Sequence, residues 1–222
     1  MKSPALVALL VLFLSASATA VTLVPAPPGI NADAYLLMDF ATGEVLVEHN
    51  IDTRLPPASL TKLMTSYILA EEVDAGRLSL DDEVTVSRNA WSQNPKFRGS
   101  SLMWIEPGKS VTVGELEQGI AISSGNDATV AIAEHIAGSE EAFVALMNRY
   151  AEELALTATH FENTHGLPNS DHLTTARDLG SLAIATIRDH PDRYRVYRQQ
   201  SYTYNDITQY NRNHLLREDP SV

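Results

Sequence analysis

The stretch Pro57-Ala58-Ser59-Leu60-Thr61-Lys62-Leu63-Met64-Thr65 sets the organisation of this sequence. Prolines interrupt the chain at its start, and the apolar residues beyond them recur three and four positions apart, which is the spacing of one helix face. We therefore expect a helix that opens at about Ser59. Its apolar stripe would comprise Leu60, Leu63, Met64, Tyr67 and Ile68.

Ser59 and Lys62 lie three residues apart, so a helix would place the hydroxyl and the amine on one face within a turn. That pairing suits a serine nucleophile with a lysine base. A base must be neutral, whereas the ordinary lysine pKa is about 10.4. The positive end of the helix dipole and burial both disfavour the ammonium, and the same backbone N–H groups can stabilise an oxyanion. The spacing suits a capping serine and a solvated lysine equally well.

The pattern Ser-x-Asn occurs three times, beginning at Ser87, Ser92 and Ser124. Only Ser124-Gly125-Asn126 lies in a tight break between two predicted apolar helices. A short rigid loop there can project both polar side chains into a cleft. The alternative is a plain helix N-cap formed by Asn126 or Asp127.

Composition narrows the function classes. The 222 residues are 44% apolar and 20% charged, which is ordinary for a globular domain. The formal net charge of -12 leaves no basic surface for nucleic acid, so we expect no nucleic-acid partner. The sequence contains no cysteine, which excludes disulfides and thiolate nucleophiles.

The first twenty residues have the pattern of a cleaved export signal. Lys2 precedes an apolar run at residues 5–14, and Ala18-Thr19-Ala20 is a small-residue cleavage pattern. The apolar run is about half of the roughly 20 residues that a membrane span needs. We expect residues 1–20 to be a signal peptide and residues 21–222 to form the exported, mixed α/β catalytic part.

Secondary-structure signals are strongest at turns and caps. Strand-like runs at residues 34–40 and 44–48 flank a Gly43 turn and predict a β-hairpin. The region with Trp91 to Trp104 predicts a loop-rich segment with short strands, and residues from Tyr202 onward predict strand and loop. Four later helices are expected from caps and breakers at Thr112 with Glu115, Ser123-Ser124-Gly125, Gly138, Ser139, Thr175 and Pro191.

Other common chemistries lack their motifs. The seven histidines show no metal-ligand spacing, and His160 with His165 lacks further ligands, so we expect no metal. A glycine-rich phosphate loop and a Gly-x-Ser-x-Gly elbow are also absent from the sequence. We expect no cofactor.

The two serine motifs together resemble those of the penicillin-interacting serine D-alanyl-D-alanine carboxypeptidases, the low-molecular-mass penicillin-binding proteins. The resemblance spans about residues 30–218. Further segments that carry it are Gly99-Ser-Ser-Leu-Met103, Ala137-Gly-Ser-Glu-Glu-Ala-Phe143, His165-Gly-Leu167, Ala176-Arg-Asp178 and Asn211-Arg-Asn213.

The resemblance implies a β-lactamase/transpeptidase-like fold of the α+β kind, an antiparallel sheet flanked by helices, and a periplasmic enzyme. Ser59 would attack the terminal D-Ala-D-Ala amide of a peptidoglycan stem peptide, and Lys62 would take its proton. Ser124 would pass a proton to the leaving amine, and Asn126 would orient the substrate amide. The backbone N–H of Ser59 would form half of the oxyanion hole. β-Lactam antibiotics would acylate the same serine, and the resemblance assigns His165 and Arg212 no chemical step.

The family's third motif, Lys-Thr-Gly, does not occur in the sequence. It binds the substrate carboxylate and supplies the other oxyanion donor, and the family also has later sheet strands and an amphipathic anchor for the inner membrane. We therefore expect a truncated copy that lacks its C-terminal strands and has weak activity or poor folding.

Two other functions stay open. A serine β-lactamase shares Ser-x-x-Lys, but Gly125 stands where class A enzymes have Asp, and Glu162 lacks the Leu-Asn context of their deacylating glutamate. A non-catalytic peptidoglycan or penicillin-binding module would follow from the missing third motif.

Overall fold

The Pro56-Pro57 break is followed by a single 3₁₀ turn, Ala58–Thr61, that leads directly into helix α1, Lys62–Asp74. The computed structural model describes residues 29–219. Met64, Tyr67 and Ile68 are buried along α1 as predicted. The prediction for Leu60 is wrong, because its side chain is 60% exposed. Leu60 belongs to the 3₁₀ turn, whose three residues per turn rotate it off the face that α1 buries.

The predicted caps define the later helices. Thr112 Oγ1 accepts a hydrogen bond from the Glu115 N–H at 3.2 Å, and Glu115 Oε2 accepts one from the Thr112 N–H at 2.8 Å, which completes the predicted capping box. Ser139 and Thr175 cap the helices that follow them. The helices after α1 are α2, Val113–Ser123; α3, Asn126–Ala137; α4, Glu140–Glu153; α5, Ala176–Asp189; α6, Pro191–Tyr194; and α7, Leu215–Glu218.

Strands pair only in antiparallel fashion within residues 29–219, where they form three two-stranded sheets. The predicted hairpin around Gly43 is present, with Tyr35 opposite His49. The strands are β1, Tyr35–Met38; β2, Val45–His49; β3, Glu83–Thr85; β4, Ser110–Thr112; β5, Ser201–Tyr204; and β6, Ile207–Tyr210, and they pair as β1–β2, β3–β4 and β5–β6.

Helix α1 joins two hydrophobic clusters. Leu69 packs into a cluster with β3, β4, α2 and α3, whereas Met64 and Ile68 pack into a second cluster with α4 and α5. Full burial of such side chains contributes about 1.5–3 kcal/mol each. The helix that begins with Lys62 is therefore held rigidly from both sides, which fixes the position of the amine.

The elements described here belong to one compact unit, Ala32–Val222. The predicted signal peptide, residues 1–20, lies outside the described residues. Among residues 29–219, no helix has the length and apolar character needed to cross a membrane.

Candidate active site

Lys62 lies at the centre of a buried polar cluster. Lys62 is only 4% exposed. Its Nζ atom contacts Asn126 Oδ1 at 2.7 Å, the backbone oxygen of His165 at 2.8 Å and Ser59 Oγ at 3.3 Å. The burial of Lys62 excludes the alternative of a solvated lysine. Ser59 itself is exposed at the protein surface and has no capping role.

The surroundings of Lys62 favour a neutral amine. The pKa of Lys62 is lowered from 10.5 to about 7, mainly by burial and also by the positive charge of Arg212, against the opposing negative charge of Asp127. A neutral amine has two N–H bonds and one lone pair. Asn126 and His165 provide the two closest acceptors, so both hydrogens are engaged and the lone pair remains for the Ser59 hydroxyl.

The segment Ser124-Gly125-Asn126 forms the predicted break between α2 and α3. Ser124 ends α2 in the left-handed conformation, with φ 59° and ψ 40°, which is uncommon for a residue other than glycine and concentrates at functional sites. Its Oγ is buried and, within the described part of the chain, has no hydrogen-bond partner. A hydroxyl left in this state is free to bond a substrate atom.

Asn126 and Asp127 fix this break against a neighbouring loop. The alternative of a side-chain N-cap is wrong, because the N-cap residue of α3 is Gly125 and no side chain makes a cap hydrogen bond. The two carboxylate oxygens of Asp127 instead accept from three successive N–H groups, those of Met103, Trp104 and Ile105. The Asn126 side chain is thereby left to contact Lys62.

The other two Ser-x-Asn segments have local structural roles. Ser87 Oγ accepts from the Asn89 N–H at 3.0 Å, and Asn94 caps a short 3₁₀ turn. Neither segment lines the cleft that contains Ser59.

That cleft has a volume of about 520 Å³, within the range of small-molecule sites. Ser59, Lys62 and Ser124 all line it, so the structure brings three of the predicted residues to one cavity, and Asn126 adjoins them through Lys62. Arg212 lines the same cleft and donates from Nη2 to Ser101 Oγ at 2.6 Å. The remaining lining residues are Pro57, Ala58, Leu60, Leu63, Ile120, Ala121 and Tyr197.

The loop at His165 and Gly166 is the part of the site whose role the sequence did not indicate. The His165 carbonyl binds Lys62, and Gly166 lies so close to the 3₁₀ turn that a Cβ atom would be 1.7 Å from the Ala58 oxygen. Gly166 also has φ +88°, which favours glycine. The only signal in the sequence was a glycine beside a histidine, and it did not indicate which residues this loop contacts.

Two observations bear on the β-lactamase alternative. A Cβ atom at Gly125 would lie 3.0 Å from the Met103 nitrogen, which leaves little room for the aspartate of class A enzymes. The Glu162 carboxylate binds His160 at 2.8 Å and is not among the groups that line the cleft.

Among residues 29–219 there is no group of three metal-ligating side chains.

Comparisons with known proteins define the class. The profile of the family described as D-alanyl-D-alanine carboxypeptidase, peptidase S11, matches residues 21–222. The chain is 47% identical over 190 residues to D-alanyl-D-alanine carboxypeptidase DacC of Escherichia coli, covering 85% of this chain and 48% of DacC. It is 48% identical over 201 residues to DacD of Salmonella typhimurium, covering 90% of this chain and 52% of DacD.

Solved structures agree with this class. Penicillin binding protein 5 from Haemophilus influenzae superposes with a TM-score of 0.85 at 40% identity, covering 88% of this chain and 56% of that one. Penicillin binding protein 6B from Escherichia coli gives a TM-score of 0.82 at 48% identity, covering 86% and 61%.

The fold is therefore that of the penicillin-binding proteins, as the sequence predicted. The chain belongs to the D-alanyl-D-alanine carboxypeptidase family, peptidase S11. It spans about half the length of the curated relatives that it matches.

Proposed function

We propose that this protein is a serine D-alanyl-D-alanine carboxypeptidase that removes the terminal D-alanine from peptidoglycan stem peptides. The observation that carries the proposal is the contact of a buried lysine amine with the hydroxyl of an exposed serine, Lys62 Nζ to Ser59 Oγ at 3.3 Å. A lysine whose pKa is about 7 is substantially neutral at physiological pH, which general-base catalysis requires.

In the proposed reaction, Lys62 takes the Ser59 proton as Oγ attacks the carbonyl carbon of the terminal peptide bond. The oxyanion is stabilised in part by the N–H of Ser59, which lies in the 3₁₀ turn that precedes α1. The unpartnered hydroxyl of Ser124 passes its proton to the leaving amine and is reprotonated by the Lys62 ammonium, so that D-alanine departs, Lys62 is neutral again and an acyl-enzyme on Ser59 remains. Water then hydrolyses the ester.

Asn126 has a double role in this proposal. Its Oδ1 atom accepts from Lys62, so the group that remains for the substrate is the Nδ2 donor. That donor suits a carbonyl of the peptide backbone. We expect β-lactams to acylate Ser59 through the same arrangement, because their strained amide presents a reactive carbonyl carbon to the serine.

The test is D-alanine release from a synthetic peptide that ends in D-Ala-D-Ala. We expect Ser59→Ala and Lys62→Met to abolish release, whereas Ser181→Ala, a control at an exposed helical serine on α5, leaves it unchanged. Release that survives Ser59→Ala would overturn the proposal. Rapid hydrolysis of penicillin would favour a β-lactamase, and a stable Ser59 adduct without D-alanine release would favour a binding module.

We also propose that the protein is exported to the periplasm and acts at the outer face of the inner membrane. The basis is the predicted signal at residues 1–20 and the cell-wall relatives. N-terminal sequencing of protein recovered from the periplasm should begin at about Val21. A retained Met1 on the mature protein would contradict export by this signal.

A further inference from the structure

The Glu140 carboxylate lies against the loop that supplies the His165 carbonyl to Lys62. Its Oε1 atom accepts from Thr164 Oγ1 at 3.2 Å and lies 3.4 Å from His165 Nε2. Its Oε2 atom accepts from Lys96 Nζ at 2.9 Å. The Glu140 side chain is 15% exposed and does not line the cleft, but it contacts two consecutive residues of this loop.

The hydrogen positions on His165 follow from its contacts. The Leu167 N–H donates to Nδ1 at 3.2 Å, so the proton of the neutral ring is on Nε2, which faces Glu140. Burial lowers the pKa of His165 to about 4, against the opposing charge of Glu140, so the ring is neutral at physiological pH. Both Glu140 oxygens therefore face donors.

We propose that Glu140 is a positioning residue for the Lys62 base, acting through Thr164 and His165. The inference rests on the proposed function, because it concerns the base of that reaction. Lys62 uses the His165 carbonyl as one of its two closest acceptors, so a displaced loop redirects the amine relative to Ser59. Errors of about 1 Å in such a position can cost up to 100-fold in rate.

Glutamine is the informative substitution at this position. It keeps the shape of the side chain but has one acceptor oxygen and one NH₂ group, so it must turn a donor towards either Lys96 or the Thr164 and His165 donors. It also removes the negative charge that pairs with Lys96, which leaves the Lys96 ammonium without its ion pair. The turned amide displaces the loop, and the loss of the negative charge makes the Lys62 ammonium less favourable.

The experiment measures the rate of Ser59 acylation by a fluorescent penicillin between about pH 5 and pH 10. Glu140→Gln should lower the high-pH plateau roughly tenfold and move the midpoint of the acid limb to lower pH. The control is Glu141→Gln. Glu141 is exposed in the same first turn of α4, so it loses the same charge near the same helix end, and its profile should match the wild type.

A second variant should shift the profile in the opposite direction. The charged or titratable groups that face Lys62 are Arg212, Asp127 and His165. Lys96→Gln leaves Glu140 with an unpaired negative charge on the far side of His165, which favours the Lys62 ammonium. The midpoint should therefore move to higher pH. A purely structural defect would reduce the amount of active protein without producing shifts of opposite sign.

The outcomes separate the two proposals. If Glu140→Gln and Glu141→Gln give the same profile while the wild type still forms its Ser59 adduct, the positioning role is wrong and the proposed function stands. If circular dichroism shows that Glu140→Gln does not fold, Thr164→Val decides, because it removes the hydroxyl that donates to Glu140 Oε1, and a high-pH plateau equal to that of the wild type overturns the inference. Absence of a Ser59 adduct on the wild type overturns both.

Discussion

The carbonyl oxygen of His165 accepts a hydrogen bond of 2.8 Å from Nζ of Lys62, although 103 positions separate the two residues in the sequence. This contact joins the loop before α5 to the first residue of α1. Together with Asn126, it engages both hydrogens of a neutral Lys62 amine. The chemistry of the Ser59 site therefore depends on a loop that is distant in the sequence from both serine motifs.

The positive charge of Arg212 should lower the pKa of the Lys62 base. Acylation needs neutral Lys62, so its rate should rise with pH and level off above the Lys62 pKa of about 7. Arg212→Gln removes a charge that lowers this pKa, so the midpoint should move to higher pH and the rate at pH 7 should fall. The pH–rate profile of penicillin acylation checks this, with exposed Arg217→Gln as the control. A midpoint that stays in place or moves lower would contradict the electrostatic role of Arg212.

A negative charge at position 126 should have a larger effect. Asn126→Asp would place a carboxylate about 2.7 Å from Lys62 Nζ, which favours the ammonium and removes the Nδ2 donor proposed for the substrate. We expect acylation at pH 7 to fall at least about tenfold, which corresponds to about 1.4 kcal/mol. The same substitution at the exposed Asn169 should have no effect. Equal rates for the two variants would show that the Lys62–Asn126 contact does not matter for the reaction.

Gly166 should tolerate no side chain. Gly166→Ala combines a left-handed φ of +88° with a Cβ atom 1.7 Å from the Ala58 oxygen, so the backbone has to move. Gly138 is the matched control, because it has φ +83° and open space around its Cβ position. In urea denaturation, Gly138→Ala should cost about 1 kcal/mol of unfolding free energy, and Gly166→Ala clearly more. Similar losses would mean that the contact with Ala58 is easily relieved.

His172 should make stability depend on pH. The Glu162 N–H donates to its Nδ1 at 2.9 Å, so its Nε2 donates to Thr61 Oγ1 at 2.7 Å. Burial lowers the pKa of His172 from 6.5 to about 4. The unfolded chain then binds the proton first, so stability should fall as the pH falls from about 6.5 towards 4, by at most about 1.4 kcal/mol per pH unit for one proton.

His172→Gln should reduce this dependence without removing it, because burial also lowers the pKa of His165. Melting temperatures between pH 4 and pH 7 measure the slope. Exposed His135→Gln serves as the control and should keep the wild-type slope. An unchanged slope in His172→Gln would show that this histidine is not held neutral by the fold.

Local signals in the sequence predicted the helix caps, the helix ends and the first hairpin correctly. The Thr112–Glu115 capping box, the Gly138 stop and the Thr175 cap all depend on contacts between residues three or four positions apart, which a sequence displays directly. The expected strands of the Gly43 hairpin also form. Leu60 was misplaced because periodicity alone does not separate a 3₁₀ turn from the first turn of an α-helix.

The residues that meet in the candidate site could be singled out from the sequence, but their contacts could not. The spacing of Ser59 and Lys62 suggested a nucleophile and a base, and the break at Ser124 suggested a cleft. The contacts that make the lysine a plausible base come from Asn126 and His165, 64 and 103 positions away. Such contacts depend on tertiary packing, and no local pattern encodes the left-handed Ser124 either.

The central claim is that Ser59 is the nucleophile of this protein, and mass spectrometry of the penicillin-treated chain tests it most directly. The account predicts a mass increase of one intact penicillin, located on the peptide that contains Ser59, absent in Ser59→Ala and retained in Ser181→Ala. An adduct on another residue, or one that persists in Ser59→Ala, would contradict the account.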